Sequence, residues 1–71
     1  MKKTIGQRVR ELREERGLSQ QNVAKLLKVD RSNYSKYERG KLEFNNEMIV
    51  TLAKFFEVTT DSLFGLGDVN A

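Results

Sequence analysis

An all-α fold of five short helices is what this 71-residue sequence predicts. Apolar residues recur at spacings of three and four, and no segment alternates with period two for long enough to make a strand. Each apolar run follows a Ser, Thr, Asp or Asn suited to cap a helix, and three of the runs close on a glycine. A chain this short holds one domain and buries only about 60% of the surface exposed by its unfolded state, so every helix has to be well capped.

Taken in order, Thr4 and Gln7 form a capping box, in which each side chain serves an otherwise unpaired backbone N–H. Ile5, Val9 and Leu12 then mark one face of a first helix over about residues 5–16, and Gly17 stops it. Ser19 caps a second helix over 20–27, with Val23, Ala24, Leu26 and Leu27 on its apolar side. Asp30 caps a third, over 31–39, closed by Gly40, with Tyr34 and Tyr37 three apart on one face. Asn45 or Asn46 opens a fourth, where Met48, Ile49, Leu52, Ala53, Phe55 and Phe56 give the strongest apolar stripe in the chain. Thr59 or Thr60 caps a last short helix through Leu63 and Phe64, ended by Gly65 and Gly67. Residues 1–66 are thus expected to form the domain and 67–71 a flexible C-terminal tail.

Composition narrows the chemistry. Without cysteine or histidine there is no disulfide, no thiolate or imidazole zinc site, and no usual nucleophile or general base. No enzymatic activity, cofactor or metal is therefore expected. No apolar run nears the roughly 20 residues that span a bilayer. Lys2 and Lys3 are followed by the charged stretch from Gln7 to Arg16 and not by the apolar core of a signal peptide, so a cytoplasmic location without a membrane partner is expected. Charge is polarised along the chain: residues 1–41 carry twelve basic and five acidic groups, residues 42–71 one basic and five acidic. Such a field is either an ordinary solvated surface or a basic face that meets a polyanion.

Only three or four residues separate the second and third helices, which forces a steep crossing, the helix-turn-helix arrangement. Val23, Leu27, Tyr34 and Tyr37 are expected to face inward, Val29 to plug the turn, and Ala24 to lie where the two backbones come closest.

Residues 5–65 resemble the Cro/CI-type (Xre family) helix-turn-helix domain of phage repressors, the lambda repressor-like fold. The matching string is Ile5-Gly6-Gln7-Arg8, Leu12-Arg13, Gly17-Leu18-Ser19-Gln20, Val23-Ala24, Ser35-Lys36-Tyr37-Glu38-Arg39-Gly40-Lys41, Leu52-Ala53, Phe55-Phe56 and Asp61-Ser62-Leu63-Phe64-Gly65. The resemblance implies five helices and sequence-specific binding of double-stranded DNA, usually as a homodimer on a two-fold operator. It also implies that the helix beginning at Arg31 enters the major groove. Asp30, Arg31, Ser32 and Lys36 match the base-reading positions, and Arg31 and Lys36 suit guanine O6 and N7 on chemistry as well. Asp30 is open to two readings, a helix cap or an acceptor for cytosine N4. Ser19 and Gln20 match the phosphate-contacting start of the second helix, where free N–H groups and the helix dipole favour an anion. Arg39 and Lys41 match flanking phosphate contacts, with Asn33 beside them, unless those two cations are merely solvated. Lys2, Lys3, Arg8 and Arg10 read better as ordinary surface charge, and Ser35 is assigned no role.

Arg13 and Glu38 match an interior ion pair that ties the first helix to the third; otherwise both are surface charges of little weight. Lys28 departs from the family's usual glycine in the turn, and Glu57 from a frequent glycine after the fourth helix. Dimer contact is expected around Thr60, Leu63 and Leu66 in the acidic, apolar last third. A repressor is the leading expectation, and a protein-interaction module on the same scaffold, antitoxin-like or co-activator, is the alternative.

Overall fold

The computed structural model describes residues 3–65. Five helices follow one another: α1 (Ile5–Glu15), α2 (Gln20–Leu27), α3 (Arg31–Glu38), α4 (Asn46–Phe56) and α5 (Thr60–Leu63), with no strand among the described residues. Gly67, the 67–71 tail and Leu66 lie outside the described residues.

Every helix opens on a side-chain cap. Thr4 Oγ1 accepts from Gln7 N at 3.1 Å, and Gln7 Oε1 accepts from Thr4 N at 2.9 Å. Ser19 builds the same reciprocal box with Asn22 in place of a longer side chain. Asp30, Asn45 and Thr59 cap α3, α4 and α5, so the fourth helix opens at Asn46 and the fifth at Thr60.

Val9, Leu12, Val23, Ala24, Tyr34, Ile49, Leu52, Ala53, Phe56 and Leu63 make one buried core drawn from all five helices. Leu27 and Val29 are packed against it and only partly buried. Tyr37, expected to face inward, is half-buried and instead lies against Phe44, ring centroids 5.1 Å apart. Phe55 is 45% exposed, because Ile49, Leu52 and Phe56 set the inward direction of α4 and its neighbour in sequence points about 100° away. Leu63, expected at a dimer contact, is fully buried, so it belongs to the core of one copy. Its neighbour Phe64 is 43% exposed in its place.

Gly6 decides how α1 meets α3. A Cβ built there would lie 2.4 Å from the Glu38 carbonyl oxygen and 2.6 Å from that of Tyr37. The first turn of α1 thus presses directly on the backbone that ends α3, a distance no larger residue permits. Arg16 makes the corresponding link to α4: its Nη2 donates to the Phe56 carbonyl at 2.7 Å, and its guanidinium sits 5.0 Å from the Phe56 ring centroid.

Two non-glycine residues sit in the left-handed region, Lys28 (φ 62°) after α2 and Glu57 (φ 58°) after α4. That conformation costs an L-residue roughly 1–2 kcal/mol, part of which glycine returns as entropy to the unfolded chain. Lys28→Gly and Glu57→Gly are each expected to stabilise the domain by about 0.3–1 kcal/mol in urea melts. Glu57→Gly should gain more, because it also removes an anion from the negative end of α4. A loss at either site would mean that side-chain contacts outweigh the backbone strain there.

Candidate nucleic-acid interface

Three residues, Lys28 to Asp30, join α2 to α3. Lys28 reverses the chain in its left-handed conformation, and Val29 N–H returns to the Ala24 carbonyl at 3.0 Å. Asp30 Oδ1 then accepts from Asn33 N at 2.7 Å and starts α3. Asp30 therefore acts as a cap.

Tyr34 and Glu38, one turn apart, point into the protein and set the rotation of α3 about its axis. Helical geometry then places Ser32 and Lys36 at the centre of the opposite face and Asn33 on its flank, while Arg31, the first residue of the helix, projects about 120° from that centre at the helix's N-terminal end. All four are exposed, as are Arg39 and Lys41 just beyond the helix. Arg39 Nε reaches only back to the Ser35 carbonyl, at 3.4 Å.

At the start of α2, Ser19 N–H and Asn22 N–H are engaged within the capping box. Among the described residues, the Gln20 and Gln21 amides make no hydrogen bond, as the first turn of a helix dictates. The Gln20 side chain departs from the sequence expectation. Its Nε2 points inward and donates to Glu38 Oε1 at 3.2 Å.

Charge is sorted by pairing. On α1, Arg8 donates to Glu11 at 3.4 Å and to Ser62 Oγ at 3.2 Å, Arg10 pairs with Glu14 at 3.1 Å, and Lys3 pairs with Glu11. Among the described residues eight cations have no acidic partner within 4 Å: Arg16 follows α1 and Lys54 lies on α4, and the other six, Lys25, Lys28, Arg31, Lys36, Arg39 and Lys41, lie between α2 and the segment after α3. Unpaired positive charge therefore gathers around α3. Among these residues no group of His, Cys, Asp or Glu is arranged to hold a metal ion, and no helix is long and apolar enough to cross a membrane.

Behind this face lies a buried ion pair. Arg13 Nε donates to Glu38 Oε2 at 2.7 Å and Arg13 Nη2 to Oε1 at 3.2 Å, a two-pronged contact that matches guanidinium to carboxylate. Arg13 Nη1 holds the Leu18 carbonyl at 2.9 Å, and the Tyr34 hydroxyl donates to Glu38 Oε2 at 2.5 Å. Burial works against the Glu38 carboxylate, but hydrogen bonds from Arg13, Tyr34 and Gln20 outweigh it and hold its pKa below the usual range. The hydrogen bond to Glu38 pushes Arg13 upward, and burial followed by the Glu38 bond pushes the Tyr34 phenol upward. All three groups therefore keep the protonation states that the network needs.

A family model described as a helix-turn-helix domain matches residues 6–69. The chain belongs to this helix-turn-helix family. It is 30% identical over 67 residues to the HTH-type transcriptional regulator ImmR of Bacillus subtilis, covering 94% of this chain and 53% of that protein. It is 35% identical over 63 residues to the cryptic phage CTXphi transcriptional repressor RstR of Vibrio cholerae, covering 89% of this chain and 57% of the repressor. The chain thus spans about half the length of these relatives. Among solved structures it is similar to the DNA-binding domain of the P22 C2 repressor, with a TM-score of 0.80 and 26% identity, covering 92% of this chain and 86% of that one. The restriction-modification controller protein C.AhdI of Aeromonas hydrophila matches with a TM-score of 0.72 and 40% identity, over 84% of this chain and 87% of that one. The lambda repressor-like fold of this helix-turn-helix chain is therefore established.

Removing either half of a buried pair strands a charge in the interior. Arg13→Ala and Glu38→Ala are each expected to cost about 3 kcal/mol or more, and the double substitution clearly less than the two together. Additive losses below about 1 kcal/mol in urea melts would put the pair at the surface in solution.

The depressed Glu38 pKa also sets a pH dependence. Its stabilising contribution is fully present above the unfolded Glu value of about 4.3 and is lost as pH falls through the lower folded value. Glu11 shifts in the same direction through its bond from Lys3, but at an exposed site that salt screens. Urea melts between about pH 3 and 7 in high salt should show wild-type stability dropping below about pH 4.5, and a shallower drop for Glu38→Gln. Parallel pH profiles for the two proteins would exclude a linked Glu38.

Proposed function

We propose that this chain is a sequence-specific double-stranded DNA-binding transcription regulator, a repressor that acts in the cytoplasm as a dimer on a two-fold operator. The observation that carries the reading is the exposed side of α3, with Arg31 at its N-terminal end and Ser32 and Lys36 on its outward face, within the unpaired positive charge. Arg31 and Lys36 donate to guanine edges in the major groove, Ser32 reads beside them, and Asp30 borders the same face from its capping position. Ser19 with the free amides of Gln20 and Gln21, together with Asn33, Arg39 and Lys41, hold phosphates on either side. The regulator and repressor names of the relatives support the same reading.

One copy carries a single recognition helix and has a radius of gyration of 11.3 Å, whereas half-sites of a two-fold operator lie about 34 Å apart. A second copy has to supply the other half. The dimer contact we propose keeps Thr60, replaces the buried Leu63 with its neighbour Phe64, and uses the cleft of about 460 Å³ beside Phe64, whose lining includes Ile5, Leu42, Phe44 and Ile49. Leu42 and Phe64, at 38% and 43% exposure, are apolar surface that such a contact covers.

Selection of bound sites from random duplex DNA tests the whole reading: a two-fold symmetric consensus is expected, with affinity falling steeply as salt rises. Failure to enrich any sequence, together with capture of a protein partner at high salt, would favour the interaction-module alternative. On the selected operator, Arg31→Ala should cost about 1–3 kcal/mol and relax preference at one base pair per half-site, with far less effect on unrelated duplex. Lys41→Ala should weaken both duplexes alike and lower the salt slope by about 1. Equal losses on both duplexes for Arg31→Ala would make Arg31 a phosphate anchor and move base reading to Ser32 and Lys36.

A further inference from the structure

The Glu38 carboxylate receives four donors, and their origins differ. Arg13 gives two from α1, Tyr34 gives one from α3 itself, and Gln20 gives the only one from α2. Gln20 is the first residue of α2 and Glu38 the last of α3, so this bond joins the two free ends of a pair of helices hinged at the other end by Lys28 to Asp30. We infer that Gln20 is a positioning residue for DNA recognition: its carboxamide fixes the phosphate-binding start of α2 relative to the base-reading face of α3, and so sets sequence preference and not the strength of attachment. The inference rests on the DNA-binding reading and replaces a direct phosphate contact by the Gln20 side chain with a bond inside the protein.

The geometry gives this bond leverage. Eight residues make α3 about 12 Å long, so a tilt of about 10° between the helices at the turn moves the far end by about 2 Å, and Lys36 by most of that. Hydrogen bonds to base edges tolerate a few tenths of an ångström, so Lys36 and the α2 amides could not both stay seated. Arg13 holds Glu38 to α1 but exerts no pull on α2 through the carboxylate. Without Gln20, that end of α2 has no bond to α3 itself and keeps the core packing of Val23 and Ala24 and the hold of Arg13 on the Leu18 carbonyl before the helix. Non-specific binding, which depends on charge alone, does not need the two anchors in register.

The test compares wild type with Gln20→Ala and Gln20→Met, the latter keeping the length and packing of the side chain without its N–H donors. Binding is measured on the selected operator and on an unrelated duplex across a salt series, below melting temperatures read by circular dichroism. Both variants are expected to lose roughly tenfold on the operator, the scale of one hydrogen bond to a charged group. On the unrelated duplex they should stay within about twofold of wild type, with an unchanged salt slope. Equal losses on the two duplexes with a salt slope lower by about 1 would make Gln20 a phosphate contact and overturn the inference. So would operator binding by Gln20→Met indistinguishable from wild type. Absence of wild-type binding to any duplex would overturn the DNA-binding reading and this inference with it.

Discussion

A carboxylate taken out of water has to recover from the protein the hydrogen bonds it gave up, and for Glu38 three different helices provide them. Each donor has to arrive within a few tenths of an ångström of the right place. Helices that merely filled volume could slide along one another at little cost, since dispersion is not directional. The carboxylate converts that tolerance into a fixed geometry, because a misplaced donor leaves a buried charge unmatched. Its position at the last turn of α3 means that the constraint acts on the helix with the exposed basic face.

Gly6 applies a second constraint to the same turn from the backbone side. The close approach of α1 leaves no room for α3 to move nearer, and the ion pair holds it from moving away or rotating. Leu18, whose carbonyl Arg13 also holds, brings the loop before α2 into the arrangement. One short stretch, Tyr37 and Glu38, thus takes its position from α1, from the loop after it and from α2. The acids of α1 have a complementary effect at a distance, since they neutralise Lys3, Arg8 and Arg10 and leave the positive field to the helix-turn-helix side.

How far the sequence could be read depended on how local each signal was. The order of the helices and the caps Thr4, Ser19 and Asp30 were legible, and those of the last two helices to within one residue, because a cap and its partner lie only three residues apart. The left-handed turns at Lys28 and Glu57 were legible only as departures from a family pattern. Arg13 and Glu38 are 25 residues apart, and no periodicity links them; only the resemblance suggested their contact. Nothing local told Gln20 from any other polar first-turn residue, so its inward bond became visible only with α3 in place. Gly6 was noticed as part of a motif but not as a packing surface, since its neighbours there come from the far end of α3. The exchange between Leu63 and Phe64 has a simpler cause. A helix of four residues has barely one turn, too little for spacing alone to say which apolar side chain turns inward.

The residues of α3 proposed to read bases are separate from everything that holds α3 in place. Arg31, Ser32 and Lys36 are exposed and their side chains make no hydrogen bond within the described protein, while Tyr34, Glu38 and the Asp30 cap do the anchoring. Changes at those three exposed positions therefore leave folding free energy nearly untouched, since surface substitutions away from such anchors rarely exceed about 0.5 kcal/mol. On the proposed function, a scaffold divided in this way can exchange one target sequence for another by single steps, none of which passes through an unfolded intermediate. Asp30 is the exception, because any new contact it made to a base would compete with its duty at the start of the helix.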